Sequence, residues 1–167
     1  MTEGSSGGKD SRPGGNPGPA GGKEPELSEV STQEDTYALY RRGLELLGRG
    51  SPAAAAQVLQ RASTAEPHAR SVREALARAQ FDAGRYAEAA DNFRLIVEAS
   101  PSDDYANFGL GLALARTGNH AAAAEYLALA AAMRPDEAHY TEALRSVRAT
   151  LQARKDQGAG KAKDGSE

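Results

Sequence analysis

The sequence contains no cysteine and no tryptophan, and aromatic residues make up only 5% of its 167 residues. Without cysteine, a disulfide scaffold, a thiolate zinc site and a cysteine nucleophile are all excluded. The scarcity of aromatic residues also argues against a β-sandwich or a β-barrel, because those folds depend on β-branched and aromatic side chains.

Long hydrophobic runs are missing as well. No stretch approaches the roughly 18 uncharged apolar residues of a membrane-spanning helix, and the N-terminal segment MTEGSSGGKD lacks the apolar region of a secretory signal. We therefore expect a cytoplasmic protein with no membrane association. The formal net charge of −3 provides no electrostatic attraction to nucleic acid, which is not expected as a partner either.

Alanine is the residue that the sequence has in excess. It accounts for 34 residues, about half of the hydrophobic total. Alanine favours the helix but fills little volume, so a core built largely of alanine requires helices that pack closely against one another. The composition therefore predicts an all-α fold.

Composition divides the chain into two tails and one domain. Residues 1–30 are rich in glycine, proline and serine, and residues 155–167 alternate small and charged residues. Both segments hold too little apolar surface to offset the entropy of ordering, so we expect them to be disordered. The domain is expected at 31–154, and all five lysines lie outside it.

Apolar spacing and turn residues predict seven helices in the domain. A capping-box pair, Ser31 and Glu34, is expected to open the first helix, and Pro52 suits the first position of the second. Links of two to four residues force consecutive helices into antiparallel hairpins. The predicted helices are 32–48, 52–65, 69–83, 86–99, 103–117, 120–133 and 137–154.

Four series of residues recur at an interval of 34. Three of them are glycines, prolines and alanines, and the fourth alternates leucine with phenylalanine. Such a period indicates a helix-turn-helix repeat. The repeats span 36–69, 70–103 and 104–137, and residues 137–154 form a capping helix. The series are Gly50, Gly84 and Gly118; Pro67, Pro101 and Pro135; Ala55, Ala89 and Ala123; and Leu59, Phe93 and Leu127.

The repeats have a physical logic of their own. Small residues at 43, 77 and 111 of the first helices face small residues of the second helices, so that the paired helices approach closely. The glycines after each first helix suit a left-handed C-cap. In the capping helix, apolar residues at 140, 144, 147 and 151 form one stripe that is expected to cover the end of the stack.

This pattern resembles the tetratricopeptide repeat, most clearly in DYANFGLGLALARTGNHAAAAEYLALAAAMRPDE, which forms the third unit. The resemblance implies an α-solenoid of three helical hairpins with a C-terminal capping helix. The second unit departs from the family pattern at Arg73, Gln80 and Ile96, so we expect its first helix to be rotated or loosely packed.

The resemblance also implies that the first helices line a concave groove that holds a peptide or a helix of a partner. Aromatic residues and arginines alternate at the groove positions, a composition typical of interaction hot spots. Several of these residues are equally suited to packing between units. The groove residues are Tyr37, Tyr40, Arg41 and Leu44 of unit 1; Glu74, Arg78, Phe81 and Asp82 of unit 2; and Tyr105, Phe108, Leu112 and Arg116 of unit 3.

One well-known binding mode of the family is not expected. Tetratricopeptide co-chaperones hold the C-terminal carboxylate of heat-shock chaperones with Lys, Asn and Arg at fixed groove positions. None of those residue types stands at the corresponding positions of this sequence, so we predict no carboxylate clamp. The positions carry Tyr40, Leu44, Ala75, Tyr105 and Gly109.

Nothing in the sequence indicates catalysis. The three histidines, His68, His120 and His139, are not at metal-ligand spacing and are expected in turns or on the surface. We therefore predict a non-catalytic interaction module with no metal and no cofactor. It is expected to be a monomer or a weak homo-oligomer that binds another protein; the alternative is a structural protein that self-associates through the ends of the stack or the capping helix.

Overall fold

The computed structural model describes the backbone of residues 26–164 and the side chains of residues 35–158. Within that part of the chain all regular structure is helical, which confirms the predicted all-α solenoid of hairpins. The helices are α1 (Glu26–Gly48), α2 (Pro52–Ala65), α3 (Arg70–Asp82), α4 (Tyr86–Ala99), α5 (Asp104–Arg116), α6 (His120–Met133) and α7 (Ala138–Asp164). No helix among these residues is both long enough and apolar enough to cross a membrane.

The five inner helices begin and end within one residue of the predicted bounds, but the two outer helices are longer. Helix α1 begins at Glu26, so Ser31 lies inside the helix and does not cap it. Helix α7 continues to Asp164, so residues 155–164 are helical although the sequence predicted them to be disordered. After Leu151 the chain has no proline, and helix formers such as Gln, Ala, Arg and Lys outnumber the two unfavourable glycines at 158 and 160. Each residue added to the helix gains a hydrogen bond. The predictions for 1–25 and 165–167 lie outside the described residues.

The turn inside each hairpin is built in the same way three times. Gly50, Gly84 and Gly118 have φ angles of +72°, +78° and +89°, the left-handed conformation that glycine adopts at no steric cost. The residue after each glycine donates its N–H to a carbonyl five residues earlier, as from Asn119 to Leu114 at 2.9 Å. This Schellman arrangement ends each first helix where the spacing of the glycines predicts.

The core is assembled from small residues of one helix against large residues of its partner. Gly43 of α1 lies against Leu59 of α2, and Gly111 of α5 lies against Leu127 of α6. Ala77 holds the equivalent place in α3 and is fully buried. Both leucines are also fully buried, so the predicted close approach of the paired helices is confirmed.

Helix α3 has the same orientation as its equivalent in the third repeat, contrary to the expectation of a rotated or loosely packed helix. Its buried residues, such as Val72 and Leu76, lie 34 positions before the buried residues of α5. Gln80 is 2% exposed and accepts a hydrogen bond of 2.8 Å from Asn92 of α4, which also accepts one of 3.2 Å from Arg73. Polar side chains therefore join α3 to α4 where the family pattern has apolar ones.

Helix α7 covers the end of the stack as predicted. Tyr140, Leu144 and Val147 are buried and Leu151 is half-buried, and these residues pack against α5 and α6. The arginines that alternate with them are exposed. The stripe therefore performs the capping function that a stack of repeats requires at its end.

Candidate partner-binding groove

The first helices of the hairpins lie side by side on one face of the molecule. In the described part of the chain α1 contacts α3, α3 contacts α5 and α5 contacts α7, whereas α2, α4 and α6 make no such contacts with one another. The second helices are therefore spread apart on the outer face, and the first helices form the inner face. The residues predicted for the groove belong to this inner face.

Two cavities on the inner face adjoin each other. The first, of about 350 Å³, lies between α1 and α3 and reaches Tyr105 of α5. The second, of about 170 Å³, lies between α3 and α5. Arg78 and Tyr105 line both cavities, so the two form one continuous groove. The first is lined by Tyr40, Leu44, Leu47, Arg70, Ser71, Glu74, Ala75, Arg78 and Tyr105, and the second by Arg78, Phe81, Asp82, Phe93, Tyr105, Phe108, Gly109 and Leu112.

Nine of the twelve predicted residues line this groove, and three do not. Tyr37 lines a neighbouring cavity of about 320 Å³ that shares Tyr40 with the groove. Arg41 is exposed and lines neither cavity. The guanidinium of Arg116 lies over the ring of Tyr86, 5.6 Å from its centroid, and also lines neither cavity. The resemblance to the tetratricopeptide repeat implied this grouping. The three exceptions are the repeat equivalents of Tyr105, Gly109 and Asp82, which do line the groove, so the repeat position alone does not decide which side chains reach it.

Phe93 is the groove residue that sequence reasoning placed elsewhere. It belongs to a second helix, outside the first helices that were predicted to line the groove, and is only 2% exposed. Its ring reaches the floor of the smaller cavity because Gly109 has no side chain to cover it; a Cβ on that glycine would lie 2.5 Å from the ring. A signal was present in the sequence, since a glycine inside a helix indicates a close approach.

The charges of the groove are already paired with one another. Arg70 Nη2 lies 3.2 Å from Glu74 Oε2 and also binds the nearly buried carboxylate of Asp103. Arg78 Nε lies 3.9 Å from Asp82 Oδ2. These pairs are exposed enough to contribute little to stability. They nevertheless give the groove a balance of hydrogen-bond donors and acceptors.

The two tyrosines of the larger cavity carry free hydroxyl groups. Among the described residues none makes a hydrogen bond with the hydroxyl of Tyr40 or Tyr105. Burial raises the pKa of Tyr105, with Glu74 and Asp82 adding to the effect and Arg78 opposing it. The phenol of Tyr105 is therefore neutral near pH 7. The hydroxyl groups of both tyrosines can donate and accept a hydrogen bond.

At the C-terminal end of the groove, Phe108 packs against the capping helix. Its ring stacks on Tyr140 with the centroids 4.4 Å apart, and His139 approaches it edge-on at 5.2 Å. The Tyr140 hydroxyl donates a hydrogen bond of 2.9 Å to Asp104 of α5. Phe108 thus has the packing role that was the alternative to ligand binding.

Replacement of Tyr140 by phenylalanine is expected to destabilise the protein in a pH-dependent way. Burial and the hydrogen bond to Asp104 raise the pKa of Tyr140 above its ordinary value of 10.0, so the folded state favours the protonated phenol. At pH 8 the variant should lose about 1.5 kcal/mol, typical of a hydrogen bond to a charged group. Above pH 10 the phenol loses its proton in the unfolded wild-type protein but retains it in the folded one. The difference in unfolding free energy between wild type and variant should therefore shrink by up to about 1.4 kcal/mol per pH unit.

Urea unfolding of both proteins at pH 8, 10 and 11 measures this difference. Tyr37→Phe serves as the control, because the Tyr37 side chain is 62% exposed and its change should leave stability within about 0.5 kcal/mol at every pH. A difference for Tyr140→Phe that stays constant up to pH 11 would contradict the assignment.

The histidines lie apart from one another. His68 is exposed in the turn before α3, and His120 is half-buried at the start of α6 with Nδ1 2.8 Å from the carbonyl oxygen of Gly118. His139 is exposed, with Nδ1 3.2 Å from Glu137 Oε2. Across the described residues no cluster of three or more His, Cys, Asp or Glu side chains could hold a metal ion.

Comparison with known proteins identifies the repeat family to which this architecture corresponds. Two family models, both described as tetratricopeptide repeat, match residues 40–104 and 80–147. No curated protein matches the sequence.

Three solved structures resemble the chain. The first repeat domain of Spaghetti (RPAP3), bound to the HSP90 peptide SRMEEVD, is 19% identical with a TM-score of 0.66 over 71% of this chain and 94% of that one. The C-terminal domain of an FK506-binding protein from Plasmodium falciparum is 16% identical, with a TM-score of 0.72 over 78% and 97%. MamA from Desulfovibrio magneticus RS-1 is 20% identical, with a TM-score of 0.68 over 82% and 85%.

Proposed function

Since the chain belongs to the tetratricopeptide repeat family, we propose that it is a non-catalytic interaction module whose groove binds a peptide segment or a helix of another protein. The observation that carries this proposal is the continuous groove along α1, α3 and α5, lined by aromatic side chains and paired charges. Rigid aromatic side chains supply large contact areas at low entropic cost, which is why they dominate the energetics of interfaces.

Paired substitutions test the groove directly. Tyr40→Ala and Tyr105→Ala are each expected to weaken partner binding by about 30-fold, and together by up to about 1,000-fold, because each removes an aromatic residue of hot-spot type worth about 2 kcal/mol. These residues are preferred to Phe108, which stacks closely on the capping helix. Tyr105 also touches Phe93 edge-on, so circular dichroism accompanies the test to check that the variant is folded. Affinity capture followed by a titration with the captured partner measures the change.

Leu129→Ala is the control on the outer face, where the side chain is 49% exposed on α6. Partners captured equally by all three proteins would refute the site. Light scattering over a range of concentrations accompanies the titration, so that self-association through the stack ends is not mistaken for partner binding.

The peptide that carboxylate-clamp proteins bind is not expected to bind tightly to this chain. SRMEEVD is bound by the RPAP3 domain, but in this chain the clamp positions carry Tyr40, Leu44, Ala75, Tyr105 and Gly109. Lost hydrogen bonds to a charged carboxylate cost about 1.5–3 kcal/mol each, so without two of them the peptide should bind at least about 100-fold more weakly than a clamp protein binds it. Fluorescence titration checks this, and tight binding that disappears on mutating Arg41 and Arg78 would overturn the prediction.

A further inference from the structure

The smaller cavity of the groove has the size and lining of a pocket for one apolar side chain. Its volume is about 170 Å³, and apolar cavities of about 150 Å³ are known to accept benzene. Phe81, Phe108 and Leu112 form its walls, and the ring of Phe93 lies at its floor beneath Gly109. A side chain of the size of leucine, methionine or phenylalanine suits this space.

The rim of that pocket does not favour a charged ligand. Arg78 is paired with Asp82, and farther along the groove Arg70 is paired with Glu74 and Asp103. A ligand carboxylate would have to compete with these carboxylates for the guanidinium groups and would meet their repulsion. Charge complementarity therefore points to an uncharged segment.

The adjoining larger cavity offers hydrogen bonds suited to a peptide backbone. The free hydroxyls of Tyr40 and Tyr105 can each donate to a carbonyl group or accept from an N–H group. Tyr105 lines both cavities, so a chain anchored in the smaller one would pass directly over it.

On the basis of the proposed function, we infer that the ligand is an internal, uncharged, extended segment of a partner protein. Such a segment places one Leu, Met or Phe side chain in the pocket between α3 and α5 and hydrogen-bonds its backbone to Tyr40 and Tyr105. A free C-terminal carboxylate contributes nothing to binding. The groove thus distinguishes internal segments from acidic chain ends.

Two random peptide libraries displayed on phage test this inference with the full chain as bait. In one library both ends of each peptide are fused or blocked; in the other the C-terminal carboxylate is free. We expect peptides from the blocked library to be enriched and to share one Leu, Met or Phe without a run of acidic residues. An enriched sequence made as a synthetic peptide should bind with the same affinity, within threefold, whether its C-terminus is a free acid or an amide. Replacement of its Leu, Met or Phe anchor by alanine should weaken binding at least 10-fold.

A change in the protein provides a second readout. Leu112→Trp narrows the pocket and should weaken binding of the enriched peptide at least 10-fold. Leu129→Trp on the outer face should not change the affinity. Circular dichroism checks that both variants are folded. If Leu112→Trp is unfolded, the alanine replacement of the peptide anchor tests the pocket instead.

The outcomes separate this inference from the proposed function. Enrichment only in the free-carboxylate library, or only of acidic sequences, would overturn the inference and leave a peptide-binding groove in place. Enriched peptides that lose no affinity with the Tyr40→Ala and Tyr105→Ala changes would contradict the proposed site itself. Enrichment from neither library would contradict peptide binding altogether, and the inference with it.

Discussion

Replacement of Phe93 by alanine is expected to lower the free energy of unfolding by about 3–5 kcal/mol, the usual cost of removing a buried phenylalanine. The ring is 2% exposed and belongs to the larger of the two core clusters. It contacts Tyr105 of α5 edge-on, with the centroids 6.1 Å apart, and it lies directly beneath Gly109. Its loss would leave a cavity between the second and third repeats.

A loss of about 3–5 kcal/mol is large for a small repeat domain. Small domains have about 5–15 kcal/mol of stability in total, and each repeat of a solenoid is stabilised only by its neighbours. Because Phe93 joins two repeats, we also expect unfolding to become less cooperative, with a smaller dependence of the free energy on urea. Ligand binding should weaken as well, since the floor of the smaller cavity is lost.

Urea unfolding followed by circular dichroism measures the effect. Leu95→Ala is the control in the same helix, because its side chain is 48% exposed and its loss should cost less than about 0.5 kcal/mol. A change for Phe93→Ala of under about 1 kcal/mol would mean that the second and third repeats do not pack through this ring.

Replacement of Gly43 by alanine is expected to destabilise the protein by about 1–3 kcal/mol, even though alanine is the better helix former. A Cβ at this position would lie 2.4 Å from Leu59 Cγ and 2.5 Å from its Cδ2. Leu59 is fully buried and cannot move away without disturbing the smaller core cluster. The steric cost therefore exceeds the gain of up to about 1 kcal/mol that alanine offers in a helix.

Gly48→Ala provides the matched comparison in the same helix. Nothing lies within 4 Å of a Cβ built at this position, so the substitution should be neutral or slightly stabilising. Thermal and urea unfolding of the two variants should thus give shifts of opposite sign or of very different size. A stabilised Gly43→Ala protein would show that Leu59 can repack and that close approach of α1 and α2 is not required.

The positions of the helices and turns were predictable because they depend on local and periodic features. The glycines at 50, 84 and 118 have a positive φ, which their recurrence just after each first helix predicts. Equivalent residues 34 positions apart fall on one face, so nine groove residues could be grouped before any contact was known. The first residue of α1 and the last residue of α7 were less predictable. The pair Ser31 and Glu34 indicated a later start for α1 than the observed Glu26, and no proline follows Leu151 to stop α7.

The composition and the repeat were thus sufficient to predict the all-α class, the seven helices and the close approach of paired helices, and the resemblance to the tetratricopeptide repeat indicated the face that forms the groove. The tertiary structure alone decided which charges are neutralised and where the pocket opens. Arg70 and Asp103 are 33 residues apart in sequence yet form an ion pair. Phe93 reaches the groove only because Gly109 of the next repeat lies over it. Periodicity assigns each residue to a face, but pairing and pocket depth depend on the individual side chains that meet between repeats.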